Sequence, residues 1–387
     1  MKKLLKILSL CLVLSIAAVL PLSACQEDTI TLKTYSEPIS FHSELQATYL
    51  LDDPSNISSY AAGINELSQP QAIKLEWSGT NGECIVEISE NSDFSDAVTF
   101  STSGSSLEVF NLKSATTYFW KVSCGNTHSQ AGTFQTESSA PRNLFVEGVT
   151  NVRDVGGWLT ESDIRTKQGL LFRGGRLNNS YPAGYIKGGD DTGYEFEAEI
   201  TESGAKVFTE VLKIKTEIDL RTRDRNGYPG TTDENEKLFS AVKGVNYVSI
   251  PMSGNADINS NKQAIQKLFE KLADENNYPM YIHCNIGTDR TGMAVYLLNA
   301  LLGVAEEDLF RDYLFSNFGL IALPSPQVSD PHPKTLADLT TGKGAAARVA
   351  EYDGETLKQK AEACLKSCGV TDSQIAAIRS IFLENND

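Results

Sequence analysis

The chain has 387 residues and a formal net charge of −16, with 41% hydrophobic and 22% charged residues. This length suits two ordinary globular domains, and the composition excludes a disordered or fibrous chain. The acidic balance disfavours nucleic-acid binding, because such a surface repels the phosphate backbone, so no nucleic-acid partner is expected.

The first residues have the pattern of an export signal. Lysines at positions 2, 3 and 6 precede an almost wholly apolar run over residues 7–22. That run is short for a permanent transmembrane span, which is the alternative. The sequence LSAC at 22–25 resembles the lipobox of bacterial lipoproteins, and the resemblance implies removal of residues 1–24 and lipidation of Cys25. The mature protein is then expected outside the cytoplasm, anchored to a bacterial membrane by its acyl chains.

The next stretch changes texture at about residue 66. Residues 25–65 are weakly patterned and rich in Ser, Asp and Asn, which predicts a linker with a possible first strand. Residues 66–138 show short runs of period-two alternation between turn residues, which is typical of a small all-β sandwich. This stretch resembles the fibronectin type III family in Trp77 and in LKSATTYFWKV at 112–122. The resemblance makes Tyr118 the tyrosine-corner residue and implies a spacer or docking module of unknown partner.

The cysteines outside the signal segment predict two different pairs. Cys84 and Cys124 share the inward face of two predicted strands, which permits a disulfide, with two buried free thiols as the alternative. Cys364 and Cys368 are four residues apart on a predicted helix, which is too wide a spacing for a disulfide, so free thiols are expected. No cluster has zinc-ligand spacing, and neither a metal nor a cofactor is expected.

Residues 139–387 alternate between strand and helix patterns. This alternation predicts an α/β domain with a central, mainly parallel sheet flanked by helices. Strands are predicted near 213–220, 247–250 and 280–282, and helices near 265–272, 293–302, 309–318, 357–368 and 372–383, the last capped by Thr371. A Pro- and Gly-rich stretch over 320–347 predicts a lid or an insertion.

The chemistry is concentrated in HCNIGTDRTG at 283–292, between a short apolar strand and an apolar helix. The backbone N–H groups of such a loop curl around a tetrahedral anion, and the helix aims its positive end at the same point. Arg290 supplies a planar fork for two phosphate oxygens. In this positive field Cys284 is expected to ionise readily and to attack phosphorus, forming a phosphocysteine. The loop amides and Arg290 carry the developing charge, so no metal is required.

The loop resembles the signature of the tyrosine phosphatase superfamily, and the Asp before its arginine resembles the bacterial branch. Four further segments resemble that branch in the same order: NVRDVGG at 151–157, GLLFRGG at 169–175, IDLR at 218–221 and DYLFSN at 312–317. The resemblance implies catalytic roles for Cys284, Asp289 and Arg290, and substrate binding by Asn285, Ile286, Gly287, Thr288, Thr291 and Gly292. It also implies that the Thr291 hydroxyl eases thiolate departure. His283 is expected to tune the loop rather than to act as a base.

Two assignments stay open at this stage. Asp257, in the loop over 251–257, is the alternative general acid, although Asp289 is favoured because it is fixed beside the leaving group. Asp257 otherwise caps a helix or carries a solvated charge. The charged residues of the other matching segments either brace the phosphate loop or touch substrate, or they form a buried ion-pair network behind the ends of the sheet; these are Arg153, Asp154, Asp219 and Arg221. Arg173 supplies local positive field or is an ordinary surface charge.

The resemblance implies a protein tyrosine phosphatase that hydrolyses phosphomonoesters, with a phosphorylated protein or a small phosphomonoester as substrate. Thr288 stands where the branch often has a lysine, and the missing cation weakens the alternative of an inositol-phosphate or phosphoinositide phosphatase. A surface adhesion protein that only binds phospho-ligands is the third hypothesis, and the intact Cys284, Asp289 and Arg290 argue against it.

Overall fold

The computed structural model describes residues 29–80, 82–177, 199–221, 240–253, 256–322 and 332–384. The predicted signal segment and the lipidation site Cys25 lie outside these residues. None of the helices in the described ranges is long and apolar enough to cross a bilayer. The strands are β1 Thr31–Leu32, β2 Ile73–Ser78, β3 Glu83–Ser89, β4 Val98–Ser103, β5 Ser106–Val109, β6 Thr117–Cys124, β7 Thr127–His128, β8 Gly132–Gln135, β9 Arg153–Asp154, β10 Leu171–Gly174, β11 Thr216–Asp219, β12 Asn246–Ser249 and β13 Met280–His283. The α-helices are α1 Glu44–Leu50, α2 Glu202–Lys206, α3 Lys262–Leu272, α4 Asp289–Leu302, α5 Glu306–Phe315, α6 Leu336–Thr340, α7 Ala345–Ala350, α8 Leu357–Ser367 and α9 Asp372–Phe382.

Strands β1–β8 form two antiparallel sheets around one core. One sheet has the order β1-β2-β5, and the other has the order β4-β3-β6-β7 with β8 also paired to β6. Alternate residues of β6 are buried, from Tyr118 to Cys124, as the period-two pattern predicts. Cys84 and Cys124 form a disulfide between the neighbouring strands β3 and β6 of one sheet, which decides between the two alternatives left open above. The Tyr118 hydroxyl accepts a hydrogen bond from the backbone N–H of Lys113 at 2.9 Å.

The described part of residues 25–65 is not a linker, and this prediction is corrected here. The strand β1 comes early and pairs with β2. Helix α1 follows, closed by a capping box between Ser43 and Gln46. Tyr49, Ile57 and Ala61 are buried in the hydrophobic core of the α/β region rather than exposed. The segment therefore packs on residues far away in sequence, which its weak local pattern does not show.

A five-stranded sheet with the order β12-β11-β13-β10-β9 forms the centre of the α/β region. Its first four strands are parallel, and β9 pairs antiparallel at the edge. Every residue of β10, β11 and β13 is buried, as expected for a sheet covered on both faces. One face packs in the core formed with α3, α4, α8 and α9, and the other packs against Phe208 through Phe172 and Tyr281.

The helices of this region start and end close to the positions expected. Helix α4 begins at Asp289, so the last four residues of the segment 283–292 form its first turn. The helix is capped by Gly303 in the left-handed conformation. Thr371 caps α9 through a capping box with Gln374, which confirms the predicted cap. Cys364 and Cys368 are free and buried, as predicted.

The region of strands β1–β8, called the β-sheet region below, is joined to the α/β region by buried polar contacts. The Arg142 guanidinium donates to Leu112 O at 2.9 Å and to Asp154 Oδ2 at 2.9 Å. Asn111 forms a reciprocal pair with the backbone of Phe145, at 3.0 and 2.7 Å. Such contacts restrict movement of the two regions against each other.

Candidate active site

The phosphate loop follows β13 and opens at the carboxyl ends of the parallel strands. This edge is where open α/β sheets place their ligands. Gly287 adopts φ of +72°, a left-handed conformation that favours glycine. A Cβ at this position would lie 2.2 Å from the carbonyl oxygen of Gly174, so no other residue fits without moving the neighbouring strand end.

The carbonyl groups of the loop all point outward into hydrogen bonds. Those of Cys284, Asn285, Ile286 and Gly287 accept from four different groups: His283 Nδ1 at 2.9 Å, the Arg176 backbone N–H at 3.0 Å, Asn151 Nδ2 at 3.0 Å and Arg173 Nη2 at 2.7 Å. In a trans peptide the N–H of the next residue points the opposite way, so the N–H groups of residues 285–288 turn inward. Among the described residues none accepts a hydrogen bond from these four N–H groups. The result is a ring of free donors, which is a site for a tetrahedral anion.

Cys284 lies at the base of this ring and is 2% exposed. Burial alone would raise the pKa of its thiol. The Arg290 guanidinium and the neighbouring hydroxyl and backbone N–H of Thr291 outweigh burial and lower that pKa below its ordinary value. Arg290 donates from Nη1 to Leu220 O at 3.3 Å, and no other acceptor for its guanidinium lies in the described part of the chain. Its remaining donors are available to an anion in the loop.

His283 is fully buried and bonded at both ring nitrogens. Nδ1 contacts Cys284 O and Nε2 contacts Glu217 Oε1, each at 2.9 Å. Burial lowers the pKa of His283, but the Asp219 charge and the Glu217 hydrogen bond raise it above its ordinary value. A protonated ring donates from both nitrogens, so His283 positions the Cys284 carbonyl and does not act as a base.

Glu217, Asp219 and His283 bring potential metal-ligand atoms within 4.8 Å of one another. Most of these atoms are already engaged: Glu217 Oε1 contacts His283 Nε2, and the Asp219 carboxylate accepts from Arg221 Nε at 3.0 Å and Nη2 at 2.7 Å. Glu217 Oε2 has no hydrogen-bond partner among the described residues. Burial raises the pKa of Asp219, yet Arg221 and His283 outweigh it and hold that pKa at about 2. Together these residues form a buried ion-pair network behind the loop.

Arg153, Arg173 and Asp312 form a second buried network. Asp312 accepts from Arg153 Nε at 2.8 Å and from Arg173 Nη1, and both arginines are 1% exposed or less. Arg173 is therefore neither a surface charge nor a free cation; it holds the loop through Gly287 O. Asp154 accepts from Arg142 and from the N–H groups of Gly156 and Gly169. Arg153, Asp219 and Arg221 thus belong to buried ion-pair networks, and Asp154 pairs with Arg142, so the contacts favour the alternative of a buried network over contact with substrate.

Asp289 is the first residue of α4, and its side chain is 37% exposed. Its Oδ1 accepts from Tyr313 Oη at 3.1 Å and lies 2.8 Å from Lys334 Nζ. A cavity of about 440 Å³ opens beside it, with a mainly polar lining that also contains Ala256, Met293 and Leu339. The described part of the stretch over 320–347, which was predicted as a lid or insertion, forms one side of this cavity. Asp289 thus borders this cavity from the first turn of α4, next to Arg290 in the sequence.

Asp257 is fixed in a different way. Its Oδ1 lies 3.0 Å from Arg348 Nε, its Oδ2 accepts from Ser260 Oγ at 3.0 Å, and its side chain is 7% exposed. Burial raises the pKa of Asp257, but the bonds from Ser260 and Arg348 lower it below its ordinary value. Both carboxylates are ion-paired, but Asp257 is nearly buried, whereas Asp289 is 37% exposed and belongs to the segment that carries Cys284 and Arg290, so the geometry favours Asp289.

Sequence reasoning placed Cys284, Asp289 and Arg290 in one loop, and the structure brings them together. It did not find Arg176, Glu217, Tyr313 or Lys334, each of which contacts the site. Tyr313 lies inside the matching segment at 312–317, so a signal for it existed. No sequence pattern predicts Lys334 or Arg176 as site residues, because only the folded chain brings them to Asp289 and Asn285.

Comparison with known proteins gives the family. A model described as the tyrosine phosphatase family matches residues 144–187 and 197–384, more than half of the chain. A protein of Cupriavidus necator, named provisionally as a tyrosine-protein phosphatase, is 53% identical over 38 residues; this match spans 10% of the chain and 14% of the relative's length. The core catalytic domain of the PP-IP phosphatase SIW14 from S. cerevisiae, solved with citrate, is 19% identical, with 40% of this chain and 77% of that chain covered and a TM-score of 0.26. A cysteine-to-serine variant of TpbA from P. aeruginosa, solved with pTyr, is 15% identical, with 39% and 71% covered and a TM-score of 0.24; at these scores neither structure supports a conclusion about this chain. On the strength of the match over residues 144–384, this chain belongs to the tyrosine phosphatase family.

Proposed function

We propose that this protein hydrolyses phosphomonoesters through a phosphocysteine intermediate at Cys284. The observation that carries the proposal is the ring of inward N–H groups over residues 285–288 above a thiol of lowered pKa. A thiolate beneath a bound tetrahedral anion is placed to attack its central atom. Arg290 and the loop amides then stabilise the charge on the phosphoryl oxygens.

The reaction divides into two displacements. In the first, a sulfur–phosphorus bond forms while the ester phosphorus–oxygen bond breaks, and Asp289 gives its proton to the departing oxygen. In the second, water attacks the phosphocysteine, Asp289 takes a proton from that water, and the sulfur leaves as a thiolate. The Thr291 hydroxyl is buried without a hydrogen-bond partner among the described residues, so it would be free to donate to the departing thiolate.

A phosphotyrosine-like aryl phosphate is the substrate class that the site supports best. The cavity beside Asp289 is mainly polar, but Met293, Leu339 and Tyr313 border it and offer contacts for a ring. The cavity lining contains two lysines: Lys334 is paired with Asp289, and Lys343 is the second. Because Lys343 could contact a further phosphate group, an inositol phosphate is the second candidate substrate. Turnover of a phosphotyrosine peptide against inositol phosphates separates the two, and faster release from the inositol compounds would reject the aryl assignment.

For the regions outside the family match we propose roles from the sequence. Residues 1–25 would export the chain and anchor it through Cys25, on the outer side of a bacterial membrane. Residues 66–138 would be a fibronectin type III-like module, and the Tyr118–Lys113 hydrogen bond supports this assignment. The polar contacts of Arg142 and Asn111 support a rigid module rather than a flexible spacer. Metabolic labelling with a fatty acid, lost in Cys25→Ala, tests the anchor.

Cys284→Ser is the direct test of the enzymatic proposal. The variant is expected to lose phosphate release and to keep binding of a phosphotyrosine peptide, because the loop amides and Arg290 stay in place. Ordinary activity in this variant would reject the mechanism. A parent that bound the peptide without hydrolysing it would instead support the hypothesis of a binding protein. Retention of activity in a metal chelator is expected, together with inhibition by vanadate.

A further inference from the structure

The N-terminal wall, defined here as residues 63–68, lies against the α/β region although it precedes strands β2–β8 in sequence. Gly63 N donates to Asn317 O at 2.7 Å, and Gly63 O accepts from the N–H groups of Ile321 and Ala322 at 2.9 and 2.8 Å. Leu67 N donates to Phe318 O at 2.6 Å. These bonds hold the wall beside the phosphate loop, yet the wall lies outside residues 144–384, which the family model matches.

Only glycine fits at position 63, where the wall contacts residues 321 and 322. Its φ is +74°, and a Cβ would lie 2.7 Å from Ile321 Cγ1 and 2.9 Å from Ala322 Cβ. Ile321 and Ala322 in turn form a small buried cluster with Ile286 of the phosphate loop. The wall thus supports the loop through side-chain packing.

A chain of hydrogen bonds links the wall to the loop backbone. The Ser68 hydroxyl donates to Glu66 Oε1 at 2.6 Å and accepts from the Asn151 N–H at 3.0 Å. Asn151 Nδ2 donates to the carbonyl of Ile286 at 3.0 Å. Ser68 is 3% exposed and Asn151 is 1% exposed, so solvent does not compete readily for these bonds.

The last hydrogen bond of this series fixes the orientation of one N–H donor of the anion site. The Ile286 carbonyl and the Gly287 N–H belong to the same peptide plane, so holding the carbonyl outward aims the N–H inward. Asn151 does this from a left-handed conformation, with φ of 62°, which is unfavourable for a side-chain-bearing residue unless neighbours hold it. Ser68 accepts its backbone N–H and is one of the residues that hold it there.

We propose that Glu66 and Ser68 are positioning residues of the phosphate site, acting through Asn151 on the peptide between Ile286 and Gly287. The proposal rests on the proposed function only in taking residues 284–290 as the anion site. On this proposal, residues that precede β2 belong to the catalytic unit. The boundary predicted at residue 139 therefore does not isolate a complete site.

The test is the affinity of the full chain for tungstate, a tetrahedral oxyanion that reports the loop without turnover, measured by titration calorimetry. Ser68→Ala leaves the buried Asn151 N–H without an acceptor, and we expect tungstate to bind about tenfold more weakly, with a similar fall in kcat/KM for a small aryl phosphate. Ser58→Ala is the matched control, because Ser58 is exposed in the preceding 3₁₀ turn, and it should bind as the parent does.

Glu66 provides a second pair that does not depend on the folding of Ser68→Ala. Glu66→Gln keeps the acceptor oxygen for Ser68 and should stay within about twofold of the parent, whereas Glu66→Ala should resemble Ser68→Ala. Parental tungstate affinity in both Ser68→Ala and Glu66→Ala overturns the proposal, even if both unfold at lower temperature. A parent that binds tungstate but releases no phosphate would reject the hydrolytic function and leave this inference standing. A parent that binds no tungstate would reject both.

Discussion

Asp312 is the residue whose loss should affect the architecture of the site most. It is 3% exposed and accepts from Arg153 Nε and Arg173 Nη1, two guanidiniums that are almost completely buried. Burial and the nearby Arg173 charge lower the pKa of Arg153 to about 10, while Asp312 raises it. Without the carboxylate, two cations would face each other in a low-dielectric interior.

Asp312→Asn should therefore lower the free energy of unfolding by about 3–5 kcal/mol, the cost of leaving a buried charge unpaired. That is a large share of the roughly 5–15 kcal/mol of a typical domain. Tungstate affinity should fall as well, because Arg173 also holds the Gly287 carbonyl. Glu307→Gln on the same helix is the control; its side chain is 60% exposed, and its ion pair with Arg311 should be worth less than about 1 kcal/mol.

The assay is urea unfolding followed by circular dichroism at several pH values. Burial raises the pKa of Asp312, but Arg153 and Arg173 outweigh it and hold the folded-state pKa below its ordinary value. A depressed carboxyl pKa stabilises the fold above the unfolded-state pKa, and this stability is lost as pH falls through the folded-state pKa. The gap between parent and variant should stay constant near neutral pH and narrow only below about pH 4. A loss of less than about 1 kcal/mol at neutral pH would refute the network as described.

Three further outcomes are expected. Gly287→Ala should weaken tungstate binding by at least about tenfold, because the new Cβ would lie 2.2 Å from a carbonyl oxygen at a φ of +72°; parental affinity in a titration would contradict the loop geometry. Asp289→Asn should lower kcat about 10²-fold on alkyl phosphates and less on aryl phosphates with good leaving groups. Asp257→Asn should change kcat on either substrate class by less than about threefold. A larger loss of kcat in Asp257→Asn than in Asp289→Asn would make Asp257 the acid. Replacing both Cys84 and Cys124 by alanine should lower stability by about 2–4 kcal/mol, since the bridge spans 40 residues, with little change in kcat/KM below the melting transition; thermal scans and kinetics together check this.

The phosphate loop was predictable because its chemistry is local. A short buried strand, Cys284, five intervening residues, Arg290 and an apolar helix are contiguous in the chain, and one stretch of sequence carries the whole pattern. The cap at Thr371 was predictable for the same reason, since a capping box needs only residues three apart.

The supporting contacts were not predictable because they join distant residues. Lys334 lies 45 positions from Asp289, Arg348 lies 91 from Asp257, and each pair meets only after the helices have packed. Helix α1 is seven residues long, which is too short for a clear helical period, and its buried Tyr49 lies in a core built mostly from residues beyond 155. For that reason residues 25–65 were predicted as a linker.

The most direct test of the central claim is to trap the intermediate. The full chain is mixed with an aryl phosphate, quenched in acid within the first turnover and digested for mass spectrometry. We expect one added phosphoryl group on the peptide that contains Cys284, absent from Cys284→Ser. Phosphate release without that adduct, or an adduct on any other residue, would contradict the proposed mechanism.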